Sequence, residues 1–392
     1  ATELVERAPP LTFAWSARKT VRNRFEEDLR RDWRFVLFKT GHAFALMAHR
    51  FHSSGILRFA SFLIASAQVS VSAEEATCTA GAGCVGYPQK LRISLEWFMN
   101  PDHLPLLVAN KTGLFAANGL EVEIIEPDEH FEPLRKIQSG ELDVAVTESI
   151  HLLQDRAKGE PVLGFGRFLH TDGGVMFLKE SGIQRPRDMC QVRDGRKTRV
   201  QYPGAPGLGG LSIIKTMAEA DGGVCDIDTM LEPVNEGFYH TKALAEGKAD
   251  VATLIFYNFE MVEAIQLGLN ASYFSLKHWG VPDFCQLIFF TTPEHFARLR
   301  PSMRSLNMAT RMAVDWIKTH PAEAKSIYNE WTGSNASDPM NDAILDSTLL
   351  MFPNEQAMAW EYYENMEAWL LKTGQILKPV GAKDYWTNSV AL

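Results

Sequence analysis

The sequence predicts an α/β protein with two similar lobes and an extra segment at its N-terminus. From residue 90 onwards, short apolar strands alternate with helical segments, which is typical of parallel βαβ units. The segment KIQSGELDVAV at 136–146 is echoed by ALAEGKADVATL at 243–254. Each copy reads as a helix end, a glycine and an Asp-Val-Ala strand. The echo favours two lobes of similar construction, with a ligand held between them.

The composition is that of an ordinary globular protein. The chain has 392 residues, of which 46% are hydrophobic and 22% are charged, and this length suffices for two domains with a sizeable core. The formal net charge is −9 and no long basic run is present, which argues against a nucleic acid partner. Since no apolar stretch of ~18 uninterrupted residues occurs, no ordinary membrane-spanning helix is predicted.

The five cysteines do not form a zinc pattern, because no C-x-x-C is present. Cys78 and Cys84 flank a small Gly/Ala loop and could pair in an oxidising compartment. We expect Cys190, Cys225 and Cys285 to be buried, unpaired thiols. No G-x-S-x-G or H-E-x-x-H motif occurs, so no catalytic residue, metal or cofactor is predicted from motifs.

The domain boundaries follow from these patterns. Residues 1–89 are expected to form an arm and a linker, and residues 90–182 the first part of the first lobe. Residues 183–283 are expected to form the second lobe, with crossings near 178–198 and 283–287. Residues 284–392 are expected to supply a return strand and C-terminal helices that pack mainly on the first lobe.

The first candidate ligand site lies where the first strand ends. Leu91, Ile93 and Leu95 alternate with polar residues, and a polar elbow at 100–103 separates this strand from an apolar helix at 104–115. Open α/β sheets bind ligands at the carboxyl ends of their strands, next to the free N–H groups of a helix start. The candidate ligand residues at this strand end are Trp97, Asn100, Asp102 and His103.

A second group of polar residues ends the Asp143–Val146 strand. Thr147, Glu148 and Ser149 follow it directly, and a helix continues from Ser149 to Ala157. Because this strand is expected to be parallel to the first, its carboxyl end faces the same cleft. We therefore add these three residues to the candidate site.

The second lobe contains a glycine-rich turn, Pro203 to Gly210, between a strand and a helix. Its glycines could let backbone N–H groups approach a polar or anionic substituent. It matches neither a Walker A loop nor G-x-G-x-x-G, and a purely structural tight turn fits equally well. The glycines placed in the candidate site are Gly207, Gly209 and Gly210.

A third group of candidates follows the Asp250-Val-Ala strand. Tyr257 could stack on a heteroaromatic ring, and Glu260 could accept hydrogen bonds from its amino group. Asn258 completes this group. The same residues also fit a helix start in which Asn258 is the N-cap.

The N-terminal segment reads as helical. Arg18 to Arg34 fits a charged amphipathic helix, and residues 50–73 resemble a secretory signal with a basic start, an apolar middle and Val71-Ser72-Ala73 at its end. We expect a retained helical arm that lies on a membrane or packs on a partner. A targeting segment and an extra helical layer of the same chain are the alternatives.

Three segments carry a resemblance to a known family. The first is W-x-x-N-P-D-H-x-P-L-x-V-A-x-x-x-G-x-F from Trp97 to Phe115. The others are FYNFE at 256–260 and GVPD at 280–283. Together they resemble the NMT1/THI5-like family, in particular the thiamine-pyrimidine substrate-binding proteins of ABC transporters.

This resemblance implies a two-lobed, periplasmic-binding-protein-like fold of type II, extended here by the N-terminal helical arm. It implies a small heteroaromatic ligand such as hydroxymethylpyrimidine or formylaminopyrimidine, and no cofactor. The partner would be a membrane transporter or membrane complex, reached through residues 1–89. The location would be membrane-associated, in the periplasm or an organelle.

Two alternatives remain open. In the pyrimidine synthases of this family, a lysine carries pyridoxal phosphate and a histidine four residues later is consumed. His151 matches the histidine, but Thr147 stands at the lysine position and cannot form a Schiff base, which argues against enzyme chemistry. The run of clustered cysteines is also missing around Cys285. The other alternative is an accessory structural subunit of a membrane-associated complex, with an idle cleft.

Overall fold

The structure is a computed structural model that describes residues 33–40, 43–50, 88–127, 133–203, 205, 207–237 and 239–392. The chain divides into two compact units, one ending at Thr79 and one beginning at Ala80. The predicted helix at 18–32, the signal-like stretch after Arg50 and the possible Cys78–Cys84 pair lie outside the described residues.

The described part of the N-terminal unit consists of two strands. β1 (Trp33–Thr40) and β2 (Ala43–Arg50) pair antiparallel. The expectation of a helix is therefore wrong for these residues. The reason is visible in the sequence, since both runs are of equal length and are separated only by Gly41 and His42. A two-residue link that contains glycine is typical of a hairpin.

The larger unit contains ten strands within its described residues. They form two five-stranded sheets with the orders β4-β3-β5-β12-β6 and β11-β7-β10-β8-β9. The βαβ strands pair in parallel, and the strands beside the chain crossings pair antiparallel. The prediction of two α/β lobes is confirmed. The strands are β3 (Gln89–Ser94), β4 (Leu120–Ile125), β5 (Val144–Glu148), β6 (Leu163–His170), β7 (Gly173–Leu178), β8 (Thr198–Gln201), β9 (Leu231–Val234), β10 (Val251–Phe256), β11 (Ala271–Ser275) and β12 (Gln286–Thr291).

Helices cover the sheets and supply the C-terminal part of the chain. α9 and α10 pack on α1 of the first lobe, whereas α11 contacts elements of both lobes. The helices are α1 (Leu104–Lys111), α2 (Leu114–Ala117), α3 (Pro133–Ser139), α4 (Ser149–Lys158), α5 (Gly209–Ala220), α6 (Ile227–Met230), α7 (His240–Ala245), α8 (Val262–Gln266), α9 (Pro293–Thr319), α10 (Pro321–Thr332), α11 (Pro339–Thr348) and α12 (Trp360–Lys372). Among the described residues, no helix combines the length and the apolar character that crossing a membrane requires.

The first crossing between the lobes lies earlier than predicted. β6 belongs to the first sheet and β7 to the second, so the chain crosses at Thr171 and Asp172 and not within 178–198. Both strands are apolar, and the Thr-Asp-Gly-Gly sequence at 171–174 suits a turn within one sheet as well as a crossing between two. The returning chain lies beside this crossing, because the Thr171 N–H donates to the Cys285 carbonyl at 3.1 Å. A Cβ on Gly173 would meet Cys285 Sγ at 1.8 Å, so only glycine fits there.

The second lobe contains a disulfide between Cys190 and Cys225, with their Cα atoms 5.5 Å apart. The expectation of unpaired thiols is therefore wrong for these two residues. They are 35 positions apart, and only the fold brings the segment before β8 next to the segment after α5. Cys285 is a buried free thiol, as expected.

Candidate ligand cleft

Three cavities lie between or beside the strand ends of the larger unit. We call them the outer chamber, the inner cavity and the side cavity. Their volumes are about 840, 30 and 40 Å³. Binding cavities for small organic ligands usually have about 300–1,000 Å³, so of these three only the outer chamber has that size. The inner cavity has room for little more than a water molecule.

Four parts of the chain form the walls of the outer chamber. They are helix α4, the glycine-rich turn with the start of α5, Leu254 of β10, and the segment after α12. Gln154 of α4 donates to Gln375 Oε1 at 3.2 Å and so ties two of these walls together. Both apolar and charged side chains line these walls, among them Ile150, His151, Asp155, Lys158, Tyr202, Pro203, Leu208, Ile213, Leu254, Ile376, Leu377 and Lys378.

The inner cavity adjoins the outer chamber. Ile150, His151, Pro203 and Leu254 line both, so these four side chains form a shared boundary. Beyond the boundary, the inner cavity is lined by Glu96, Trp97, Glu148, His240, Phe256 and Phe284. Aromatic and ionisable side chains from both lobes therefore meet next to the chamber.

Leu254 has a strained backbone at this boundary. Its φ is 61°, and it lies in a bulge where the pairing of β10 with β7 shifts between Thr253 and Ile255. Side chains other than glycine rarely adopt such a φ, and bulges of this kind re-aim side chains near functional sites. The bulge directs Leu254 to the wall that the two cavities share.

His151 and Glu148 form an ion pair where α4 begins. Burial lowers the pKa of the His151 imidazole, but the Glu148 carboxylate outweighs burial and the pKa is raised overall. The pair therefore favours an imidazolium beside a carboxylate. Glu148 also lines the side cavity together with Thr147.

His240 is the ligand-facing candidate that the sequence analysis missed. It begins α7 in the second lobe, is only 2% exposed, and lines the inner cavity. Burial lowers the pKa of its imidazole to about 4, so the ring is neutral near pH 7. Its Nδ1 atom meets no hydrogen-bond partner among the described residues. A neutral imidazole can offer a donor on one nitrogen and an acceptor on the other.

The polar elbow of the first lobe is a buried structural element. The Asn100 side chain accepts the Asp102 N–H at 2.8 Å and caps the 3₁₀ turn Pro101–His103. His103 Nε2 lies 3.0 Å from Glu96. All three predicted ligand residues of this elbow are buried, and they line none of the three cavities. Their polar groups are used by the protein itself.

Asn258 and Glu260 lie in the same buried region. Asn258 Nδ2 donates to Asp102 Oδ1 at 2.6 Å and to Thr348 Oγ1 at 2.9 Å, which joins both lobes and α11. Glu260 Oε2 accepts the Phe256 N–H at 2.8 Å. Burial raises the pKa of Glu260 to about 8 and that of Asp102 to about 6. Neither Asn258 nor Glu260 lines any of the three cavities.

The two aromatic candidates, Trp97 and Tyr257, each contact another ring of the protein. Trp97 lines the inner cavity, and its ring centroid lies 5.9 Å from that of Phe259. Tyr257 packs edge-on against Tyr273, with ring centroids 5.2 Å apart. Phe259, two residues after Tyr257, is therefore the ring of this segment that contacts Trp97, because chain spacing does not record side-chain direction.

The predicted glycines divide between two roles. Gly207 and Gly209 line the outer chamber. Gly210 packs so closely that a Cβ there would meet Tyr202 at 2.4 Å and Thr253 at 2.6 Å. Ser149 is fully buried at the start of α4. Among the described residues, no group of three or more His, Cys, Asp or Glu could hold a metal ion.

Comparison with known proteins identifies the relatives of this chain. A family model described as NMT1/THI5 like matches residues 100–324. A formylaminopyrimidine-binding protein of Halalkalibacterium halodurans is 24% identical over 312 residues, which cover 76% of this chain and 90% of that protein. A 4-amino-5-hydroxymethyl-2-methylpyrimidine phosphate synthase of Aspergillus parasiticus is 25% identical over 277 residues, covering 68% and 77%. The alkanesulfonate-binding protein SsuA of Xanthomonas axonopodis pv. citri matches in structure with a TM-score of 0.57 at 16% identity, covering 76% and 99%.

Proposed function

This chain belongs to the NMT1/THI5-like family, and we propose on that basis that it binds a thiamine-type aminopyrimidine between its lobes and passes it to a membrane transporter. The observation that carries the proposal is the outer chamber, which is bounded by both lobes and adjoins Trp97, Glu148 and His240. The relationship to a formylaminopyrimidine-binding protein supports the choice of ligand.

We place the pyrimidine ring at the boundary shared by the two cavities. Ile150, Pro203 and Leu254 supply apolar contacts there. Glu148 and His240 lie on the inner side, where a carboxylate could accept amino hydrogens and a neutral imidazole could bond to a ring nitrogen. Because the inner cavity is small, the ring enters it only if the lobes move apart and close again.

The proposal does not include catalysis. A synthase of this family is also a relative. By the resemblance of the sequence, His151 stands where such synthases have the histidine that they consume. Thr147 has no amino group, so the residue at the cofactor position does not fit a covalent pyridoxal phosphate. His151 is instead held by Glu148 at the edge of the chamber.

Location and attachment are further parts of the proposal. The Cys190–Cys225 disulfide favours an oxidising compartment, such as the periplasm or the cell exterior. We propose that residues 1–89 attach the lobes to a membrane or a membrane complex. Deleting these residues should release the protein from the membrane fraction and leave the lobes folded. If the truncated protein stays in that fraction, another surface is responsible.

Titration calorimetry of the full chain with hydroxymethylpyrimidine and with formylaminopyrimidine tests ligand binding. We expect one-to-one binding of at least one compound, with a Kd of about 1 μM or tighter. Circular dichroism and a cooperative unfolding transition serve as controls for the folded state. Absence of binding by the folded protein would overturn the proposal and favour an accessory structural subunit.

A further inference from the structure

The outer chamber is larger than a bare aminopyrimidine requires. Hydroxymethylpyrimidine has only about ten non-hydrogen atoms, whereas cavities near the upper end of the usual range hold drug-sized molecules. The chamber volume of about 840 Å³ lies in that upper range. A ring seated at the shared boundary would leave most of the chamber open, in the direction of the C-terminal segment at 374–378.

The far walls of the chamber are mainly apolar. Ile213 and Ile376 are buried in them, and Leu208 and Leu377 stand at its rim. Leu208 is 45% exposed and Leu377 is 96% exposed. These two side chains come from separate parts of the chain and line the same space, so an apolar group in the chamber would cover part of the surface of each.

The charges on these walls do not favour a cationic occupant. Lys158 Nζ lies 2.9 Å from Asp155 Oδ1, so these two charges offset each other. Lys378 stands on the wall formed by the C-terminal segment. A positively charged group would approach Lys378 at an electrostatic cost.

The strained bulge at Leu254 lies where the two cavities meet. Its side chain lines both cavities, so it would contact a ring at the shared boundary on one side and a ring substituent in the outer chamber on the other. A strained backbone persists only where the surrounding structure holds the residue in place, and such residues cluster at functional sites. The bond that joins the ring of a ligand to its substituent would therefore lie beside Leu254.

From these observations we propose that the preferred ligand is an aminopyrimidine carrying a bulky, uncharged and largely apolar substituent, with the substituent in the outer chamber. This inference rests on the proposed function, because it assumes that the ring occupies the shared boundary. It goes further in naming the class of ligand and the residues that select it, above all Leu377 at the rim.

Calorimetry with hydroxymethylpyrimidine, its benzyl ether and thiamine tests this inference. The benzyl ether adds an uncharged apolar group, and thiamine adds a cationic ring of similar size. We expect the benzyl ether to bind the full chain at least about tenfold more tightly than the bare pyrimidine, and more tightly than thiamine. A benzyl ether that binds no more tightly than the bare pyrimidine overturns the inference and leaves the proposed function standing. Tighter binding of thiamine overturns the uncharged class. If all three compounds and formylaminopyrimidine fail to bind, the proposed function is overturned as well.

Leu377→Asp and Leu350→Asp provide a matched pair of variants. Both leucines are highly exposed, at 96% and 80%, so neither change should disturb folding, but Leu350 does not line the chamber. We expect Leu377→Asp to weaken binding of the benzyl ether about tenfold and to leave the bare pyrimidine unchanged. Leu350→Asp should change neither. An equal loss for both compounds in Leu377→Asp, or no loss for the benzyl ether, overturns the proposal.

Discussion

The polar elbow of the first lobe and the cleft wall around His240 differ in how far the protein itself satisfies their polar groups and backbone. In the elbow, Asp102 and His103 each meet a specific partner within the protein. In the cleft wall, His240 has a buried nitrogen that meets no partner within the described part of the chain, and Leu254 has an unfavourable backbone. The elbow contributes to stability, whereas the wall leaves interactions open. Polar residues beside a cleft are therefore ligand candidates only after their own partners have been counted.

The largest expected effect comes from breaking the elbow. Asn258→Leu removes the donor that Asp102 and Thr348 share, and it leaves buried polar oxygens with one partner fewer. We expect a loss of about 3 kcal/mol in the free energy of unfolding, measured by urea denaturation. Asn365→Leu, at an exposed position of α12, should stay within about 0.5 kcal/mol of wild type. A wild-type stability of Asn258→Leu would show that the elbow does not need this bond.

The second prediction concerns the pH dependence of the free energy of unfolding, to which the buried Glu260 carboxyl contributes. The folded-state pKa of about 8 exceeds the ordinary 4.5, so between these values the folded protein holds a proton that the unfolded chain has lost. Stability contributed by this group therefore falls as the pH rises through that window. From pH 6.5 to 8 we expect wild type to lose about 2 kcal/mol more than Glu260→Gln, measured by urea unfolding at both pH values. Parallel losses in the two proteins would contradict this assignment.

The next effect separates binding from stability at the cleft wall. His240→Phe keeps a ring of similar size but removes the nitrogens. We expect pyrimidine affinity to fall about tenfold by calorimetry, and the free energy of unfolding to stay unchanged or to rise, because a buried unpartnered nitrogen is lost. His278→Phe, at an exposed position of the same lobe, is the control. Unchanged affinity in His240→Phe would remove this residue from the site.

The smallest effect tests the strain at Leu254. At ordinary strand positions alanine is more stable than glycine, but a positive φ reverses this order. We expect Leu254→Gly to be more stable than Leu254→Ala by about 1 kcal/mol in thermal unfolding. The same two substitutions at Val251, in the same strand, should show the ordinary order. The ordinary order at both positions would mean that the backbone at Leu254 is unstrained.

Patterns that depend on the backbone were predictable from the sequence. Alternation in Leu91 to Leu95 and the repeated helix, glycine and strand segments gave the two α/β lobes. The motifs between Trp97 and Phe115 gave the family. Strand alternation and the helix, glycine and strand order depend on residues that are close in the chain, so a single sequence is enough to show them.

Features that depend on contacts between distant residues were not predictable. Cys190 and Cys225 show no motif, and the polar groups of Asn100 and Asp102 suit a ligand as well as they suit a buried turn. His240 stands in no recognised pattern and becomes a candidate only when the second lobe brings it to Trp97 and Glu148. In the N-terminal unit, the apolar spacing resembled that of a helix, and the short glycine-containing link between the two runs was the sequence sign of a hairpin.

The buried thiol at the lobe crossing has a practical consequence. Cys285 lies on the returning chain against Gly173 of the outgoing chain, and burial raises its pKa well above the usual range. In this structure the Cys285 thiol is neither accessible nor ionised, so a thiol reagent reaches it only when the two crossing segments separate. The alkylation rate of Cys285 therefore reports how often the crossing segments separate. Mass spectrometry can measure this rate without a label attached to the protein.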